Sequence, residues 1–116
     1  MKIKKLMHIN ELAQDFLKSP RISRNGDRLY ITYDYEMDSG KYSEKSICFE
    51  NVKNYRHVSE QNTTADMIEA YNSIGEVVDS DWIGHELLSQ GFKHYIIYFD
   101  DYGTQEIIAD NFRLVE

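Results

Sequence analysis

Cysteine is nearly absent: Cys48 is the one cysteine in 116 residues, so no internal disulfide can form and a disulfide-stapled secreted scaffold is excluded. It sits between Ile47 and Phe49 in a strand-like run, where a reduced thiol is packing material and the nearby Glu50 disfavours a thiolate. Proline is as scarce, with Pro20 alone, and there is no Pro-rich or Gly/Ser-rich tract to mark a linker. No apolar run approaches the roughly 18 residues of a membrane-spanning helix, and the Lys-rich start, residues 1–8, has no long apolar stretch behind it. A soluble, cytoplasmic protein without a membrane partner is expected. The six glycines fit neither a Walker loop nor a dinucleotide fingerprint, which removes nucleotide binding through those motifs. His8, His57, His85 and His94 stand apart, and the zincin pattern that His85-Glu86 would open needs a second histidine where Ser89 stands. No metal and no cofactor is therefore expected.

Basic residues are missing from one region. The chain carries a formal net charge of −7, unevenly spread. Residues 1–30 hold seven Lys/Arg against three Asp/Glu, a net of +4, and the remainder holds six against seventeen, a net of −11. Between Glu60 and Asp110, eleven acids face Lys93 as the single base. Such a stretch repels nucleic acid and anionic lipid and favours a basic protein partner.

What is present is a globular composition, 41% hydrophobic and 13% aromatic, at a length that suits one domain spanning residues 1–116. Asn10 to Lys18 reads as a short capped helix stopped by Pro20. Asn25-Gly26 is a tight-turn dipeptide. From Leu29 to Met37 the odd positions are apolar or aromatic and most even ones polar. The pattern resumes in Lys41–Val52 after Asp38-Ser39-Gly40, which predicts an antiparallel hairpin with Ile31, Tyr33, Ile47 and Phe49 facing the core. Asn54–Val58 suggests a further strand. Thr64 caps a predicted helix over Ala65–Tyr71, and a second predicted helix starts near Asp79, Ser80 or Asp81 and ends at Gly91. Phe92–Phe99 is apolar on both faces, as in a covered central strand, and turns at Asp100–Gly103 into Thr104–Ala109, with Phe112, Leu114 and Val115 as an edge. The expected class is α+β, a mainly antiparallel sheet with two or three helices packed on one face.

Carboxylate pairs such as Asp79/Asp81 and Asp100/Asp101 sit where caps and turns use aspartate, so they point to no catalysis by themselves. Tyr30, by strand pattern, and Tyr102, beside two aspartates at a turn tip, are expected to be exposed, in a setting that suits an arginine-rich partner.

Val78–Trp82, His94–Gly103 and Glu106–Ala109 together resemble segments of small acidic bacterial proteins, among them immunity proteins that neutralise a toxin. The resemblance covers about a third of the chain, carries no catalytic motif, and implies a binding role. The leading expectation is a non-enzymatic protein-binding module, an immunity protein or inhibitor, whose acidic face covers a basic surface of its partner. Asp79, Asp81, Trp82, Glu86, Asp100, Asp101 and Tyr102 are its candidate contacts, projecting together from one end of the sheet. Three other readings stay open: a small-ligand or sensing domain with an aromatic pocket, an enzyme pairing Asp or Glu with a histidine, and a subunit that forms a homo-dimer through an exposed strand edge.

Overall fold

The hairpin is the nucleus from which the architecture is most easily built. A computed structural model of the protein describes residues 1–9 and 19–115; the helix expected over Asn10–Lys18 lies outside the described residues. Strand β3 (Arg28–Glu36) pairs antiparallel with β4 (Tyr42–Glu50), Ile31 opposite Ile47 and Leu29 opposite Phe49. β2 (Arg21–Asn25) joins β3 through a turn in which Gly26 takes φ +64, a conformation glycine adopts without cost. β9 (Asn111–Val115) completes a four-stranded sheet in the order β2-β3-β4-β9.

The second sheet has five strands in the order β1-β6-β7-β8-β5: β1 (Ile3–His8), β5 (Asn54–Val58), β6 (Ser73–Val77), β7 (Lys93–Phe99) and β8 (Gly103–Ala109). Every ladder within the two sheets is antiparallel. The chain passes from β8 in one sheet to β9 in the other through Asp110, whose backbone N–H donates to the Glu50 carbonyl at 3.0 Å.

The main core lies between the sheets. Leu29, Ile31, Tyr33, Ile47 and Phe49 from one meet Ile74, Tyr95, Ile97, Phe99 and Ile107 from the other. The rings of Phe49 and Tyr95 lie 5.5 Å apart. Each such aliphatic side chain contributes about 1.5–3 kcal/mol by leaving water. β7 is apolar on its other face too, because Ile96 and Tyr98 pack there beneath Met67 and Ala70. Those two residues come from α1 (Ala65–Ile68) and the turn that follows it, and Thr64 caps that helix by accepting the Met67 N–H.

The expectation of an α+β fold with two or three packed helices is overturned. Of the described residues, 56% are strand and 11% helix, and the molecule is two antiparallel sheets with two small helices. The Thr64 helix is four residues long. The helix expected from Asp79–Asp81 to Gly91 shrinks to α2 (His85–Ser89), because the Ser80 hydroxyl takes the N–H groups of Trp82 and Ile83 into a local turn and Gly84 is extended. Three strands that the sequence pattern hid, β1, β2 and β6, take places in the two sheets. β6 carries Gly75, which reads as a break; a Cβ there would come within 2.7 Å of the Ile3 side chain, so glycine is what lets β1 close on β6.

The edge strands carry bases: Lys4 and Lys5 on β1, Arg21 and Arg24 on β2, Arg56 on β5 and Arg113 on β9. Charge on an edge discourages pairing with another chain's strand. Among the described residues, no helix is long and apolar enough to cross a membrane.

Candidate functional site

On the outer face of the five-stranded sheet, away from the main core, polar side chains converge where apolar ones would be expected. Antiparallel register sets Arg56 of β5 directly opposite Glu106 of β8. His94 of β7 opposes Ile108, which makes it the diagonal neighbour of Glu106 on the same face. The Glu106 side chain has no exposure and His94 has 2%. His94 Nε2 lies 2.8 Å from Glu106 Oε1, and Arg56 donates to the same carboxylate from Nε at 2.7 Å and Nη2 at 3.2 Å. Burial pushes the Glu106 carboxyl up, but the hydrogen bonds from His94 and Arg56 and the Arg56 charge outweigh it and hold the group below the usual carboxylate range.

The other His94 nitrogen, Nδ1, lies 2.6 Å from the Ser80 hydroxyl. Ser80 belongs to the turn after β6 and accepts the N–H groups of Trp82 at 3.2 Å and Ile83 at 3.3 Å; the burial of Ile83 pins that turn to the sheet. Trp82 lies across this network, with the Arg56 guanidinium 4.1 Å from its ring centre and its edge meeting the His94 ring at 5.0 Å. Beside them is a cavity of 280 Å³ bounded by Arg56, Val77, Asp79, Ser80, Asp81 and His94. Asp79 accepts the backbone N–H of Lys2 at 2.7 Å, and that bond is the main cause of a carboxyl held below its ordinary value.

The candidate contacts fall into two groups. Asp79 and Asp81 line the cavity, Trp82 lies beside it on Arg56 and His94, and Glu86 is exposed on α2 in the same β6–β7 connection. Asp100, Asp101 and Tyr102 form the turn between β7 and β8, past the opposite end of β7. Five residue steps separate His94 from Phe99, roughly 17 Å at about 3.3 Å per step. The expectation that all seven residues project from one end of the sheet is thereby corrected. Tyr102 is half-buried against the main core and Tyr30 is half-buried as well, so neither has the exposure the sequence suggested.

At the far end, carboxylate oxygens of Glu60, Asp100 and Asp101 lie within 4.8 Å of one another, the one group of three potential metal ligands found among the described residues. One member is already hydrogen-bonded from within the protein: the Tyr98 hydroxyl donates to Glu60 at 2.5 Å and the Asp101 N–H at 3.3 Å. Burial, followed by the Glu60 contact, pushes the Tyr98 hydroxyl well above the usual tyrosine range.

Two further hollows lie elsewhere. One of 260 Å³ is lined by Pro20, Ile22, Tyr55, His57, Tyr102 and Gln105. The larger, of 480 Å³, sits beside the β1 bulge, where Lys5 and His8 are the ionisable lining residues with Tyr71. Neither matches the density of buried ionisable groups around His94.

No protein-family model, curated protein or solved structure matches the chain. Arg56, Ser80, His94 and Glu106 were not among the residues the sequence singled out as contacts. The signal that could have found them was Glu106, a carboxylate inside an otherwise uncharged strand, and His94 near the start of an apolar one.

Proposed function

We propose that the protein is a protein-binding module of immunity or inhibitor type that covers a basic surface of its partner with the outer side of the five-stranded sheet. One observation carries the reading. Exposed Glu60, Asp66, Glu69, Asp79, Asp81 and Asp101 come from four separate segments, all of them packed against or flanking that outer side. The base among them, Arg56, is paired with Glu106. Ile68 and Val78, 46% and 47% exposed, supply apolar contact among the acids, in keeping with an apolar centre inside a polar rim.

The test is kinetic. With the partner recovered by affinity capture, association is measured across a salt series for wild type, D79N/D81N and D100N/D101N. Neutralising the end that meets the partner slows association and flattens its salt dependence, and Trp82→Ala speeds dissociation. Wild-type kinetics in all three variants would refute the reading. A second reading, small-ligand binding, draws support from the aromatic hollow between Tyr55 and Tyr102; ligand-dependent quenching of tyrosine fluorescence would favour it.

A further inference from the structure

In the Ser80, His94 and Glu106 chain the hydrogen order is inferred from the acceptors on Glu106. Both oxygens of Glu106 accept, one from Arg56 Nε and the other from Arg56 Nη2 and His94 Nε2. The carboxyl is ionised, so the proton between it and the imidazole rests on Nε2. The free lone pair of a neutral His94 is then on Nδ1, and it faces Ser80 Oγ at 2.6 Å. Ser80 therefore donates its hydroxyl hydrogen to a buried imidazole that a carboxylate orients.

We propose that Ser80 is an activated nucleophile, with His94 as its general base, Glu106 as the positioning residue for His94, and Arg56 as the cation that meets developing negative charge. This goes beyond the docking reading and does not depend on it. The sheet has no need of a buried Glu–His pair for stability, since apolar residues of similar volume often replace buried ion pairs without loss. Nucleophile, base and orienting acid recur in this order on unrelated folds and are recognised by geometry. Here the serine meets Nδ1 and the carboxylate Nε2, an exchange of ring nitrogens that leaves the required lone pair in place. The Trp82 and Ile83 N–H groups, at 3.2 and 3.3 Å, hold Oγ in place, and one of these two long bonds gives up its lone pair when Oγ attacks. Arg56 uses two of its five N–H donors on Glu106, and its side chain is 43% exposed. The 280 Å³ cavity admits a short acyl group rather than a large one. The substrate class that fits is a small ester without a negative charge of its own, since Asp79 and Asp81 line the same cavity.

In the reaction, Oγ bonds to the acyl carbon while its proton passes to His94 Nδ1. The carbon–leaving-group bond then breaks, and the leaving alkoxide takes that proton. Water attacks the resulting acyl-serine by the same route, giving the carboxylic acid and free Ser80.

The full chain is treated with a fluorophosphonate probe and mapped by mass spectrometry. Oγ attacks phosphorus, fluoride departs, and the hydroxyl proton goes through Nδ1 to water. Labelling concentrated on Ser80, absent in S80A, and slowed by about 100-fold or more in H94Q is the expected result. Circular dichroism confirms that each variant is folded. The amide introduced by H94Q can still donate to Glu106 but offers no base to Ser80. If His94 only held the structure, loosening it would leave Ser80 as reactive or more so, never slower. Folded wild-type protein labelled at Ser80 no faster than at its other serines overturns the proposal. So does a folded H94Q labelled at the wild-type rate. The wild-type measurement stands alone should H94Q fail to fold.

Discussion

Replacing Glu106 by glutamine tests the buried network most directly. The carboxylate accepts from three N–H groups, one on Oε2 and two on Oε1. A glutamine has acceptor character on one side only, so either flip of its amide sets an NH2 group against a donor of Arg56 or His94. Breaking a buried pair by removing one partner costs about 3–5 kcal/mol. Because Arg56 is 43% exposed, solvent screens its share and the lower bound, about 3 kcal/mol, is the better expectation. A domain of this length has about 6–17 kcal/mol in all, so E106Q should fold at 25 °C yet melt lower by about 10 °C. Urea unfolding at pH 7, fitted as two-state, reads the difference. The pH dependence adds a signature. The folded carboxyl lies below its ordinary value of 4.5, so its contribution is complete above pH 4.5 and is lost as pH falls through the lower folded value. The gap between wild type and E106Q should therefore close in acid. A variant within about 0.5 kcal/mol of wild type at pH 7, or a gap that persists undiminished at the lowest pH where both fold, would refute the reasoning.

Gly103→Ala should destabilise by about 3 kcal/mol or more, since strain at φ +88 adds to a Cβ driven into the Val58 carbonyl oxygen. Gly84→Ala, with nothing within 4 Å, should stay within about 0.5 kcal/mol; equal denaturation midpoints for the two would contradict the packing. In a spectrophotometric alkaline titration Tyr95, which burial and the nearby Glu76 and Asp110 push up to about 12, should ionise well above the ordinary tyrosine value of about 10. Stability should fall as pH rises from 10 towards 12, because the folded state holds that proton more tightly than the unfolded chain. A strong chelator should leave Tm unchanged; a drop of several degrees, reversed by calcium or zinc, would show that Glu60, Asp100 and Asp101 hold an ion.

The hairpin was legible because alternation by two permits one face only, and Leu29, Ile31, Tyr33, Ile47 and Phe49 are fully buried on it. The two-sided apolar run of β7 marked it as a central strand for the same reason. β1, β2 and β6 were not legible. β1 is an edge with two lysines and a bulge that spoils its period, and the Gly75 that breaks the pattern of β6 is there for close approach. The helices were overread because one turn satisfies the same spacing as three. Asp79, Asp81 and Trp82 could be named as surface residues from composition, but not their distance from Asp100 and Asp101, which depends on which end of β7 each loop joins. The His94 and Glu106 partnership escaped because twelve positions separate them, and only the register of β7 on β8 brings them together.

The ladders of β1 on β6 and β4 on β9 have a consequence for how the chain acquires its structure. Ile3 waits for Val77, and Phe49 waits for Phe112. The hairpins β2–β3, β3–β4 and β7–β8 can form as soon as they are made, but each sheet gains its last strand only from a distant part of the sequence. Loop-closure entropy must be overcome before those distant contacts repay it, which places folding in the millisecond-to-second regime of non-local β topologies. During synthesis the β4 edge stays open until residues 111–115 have left the ribosome. A nascent chain stalled before that point should be the form of this protein most prone to pair with the wrong strand.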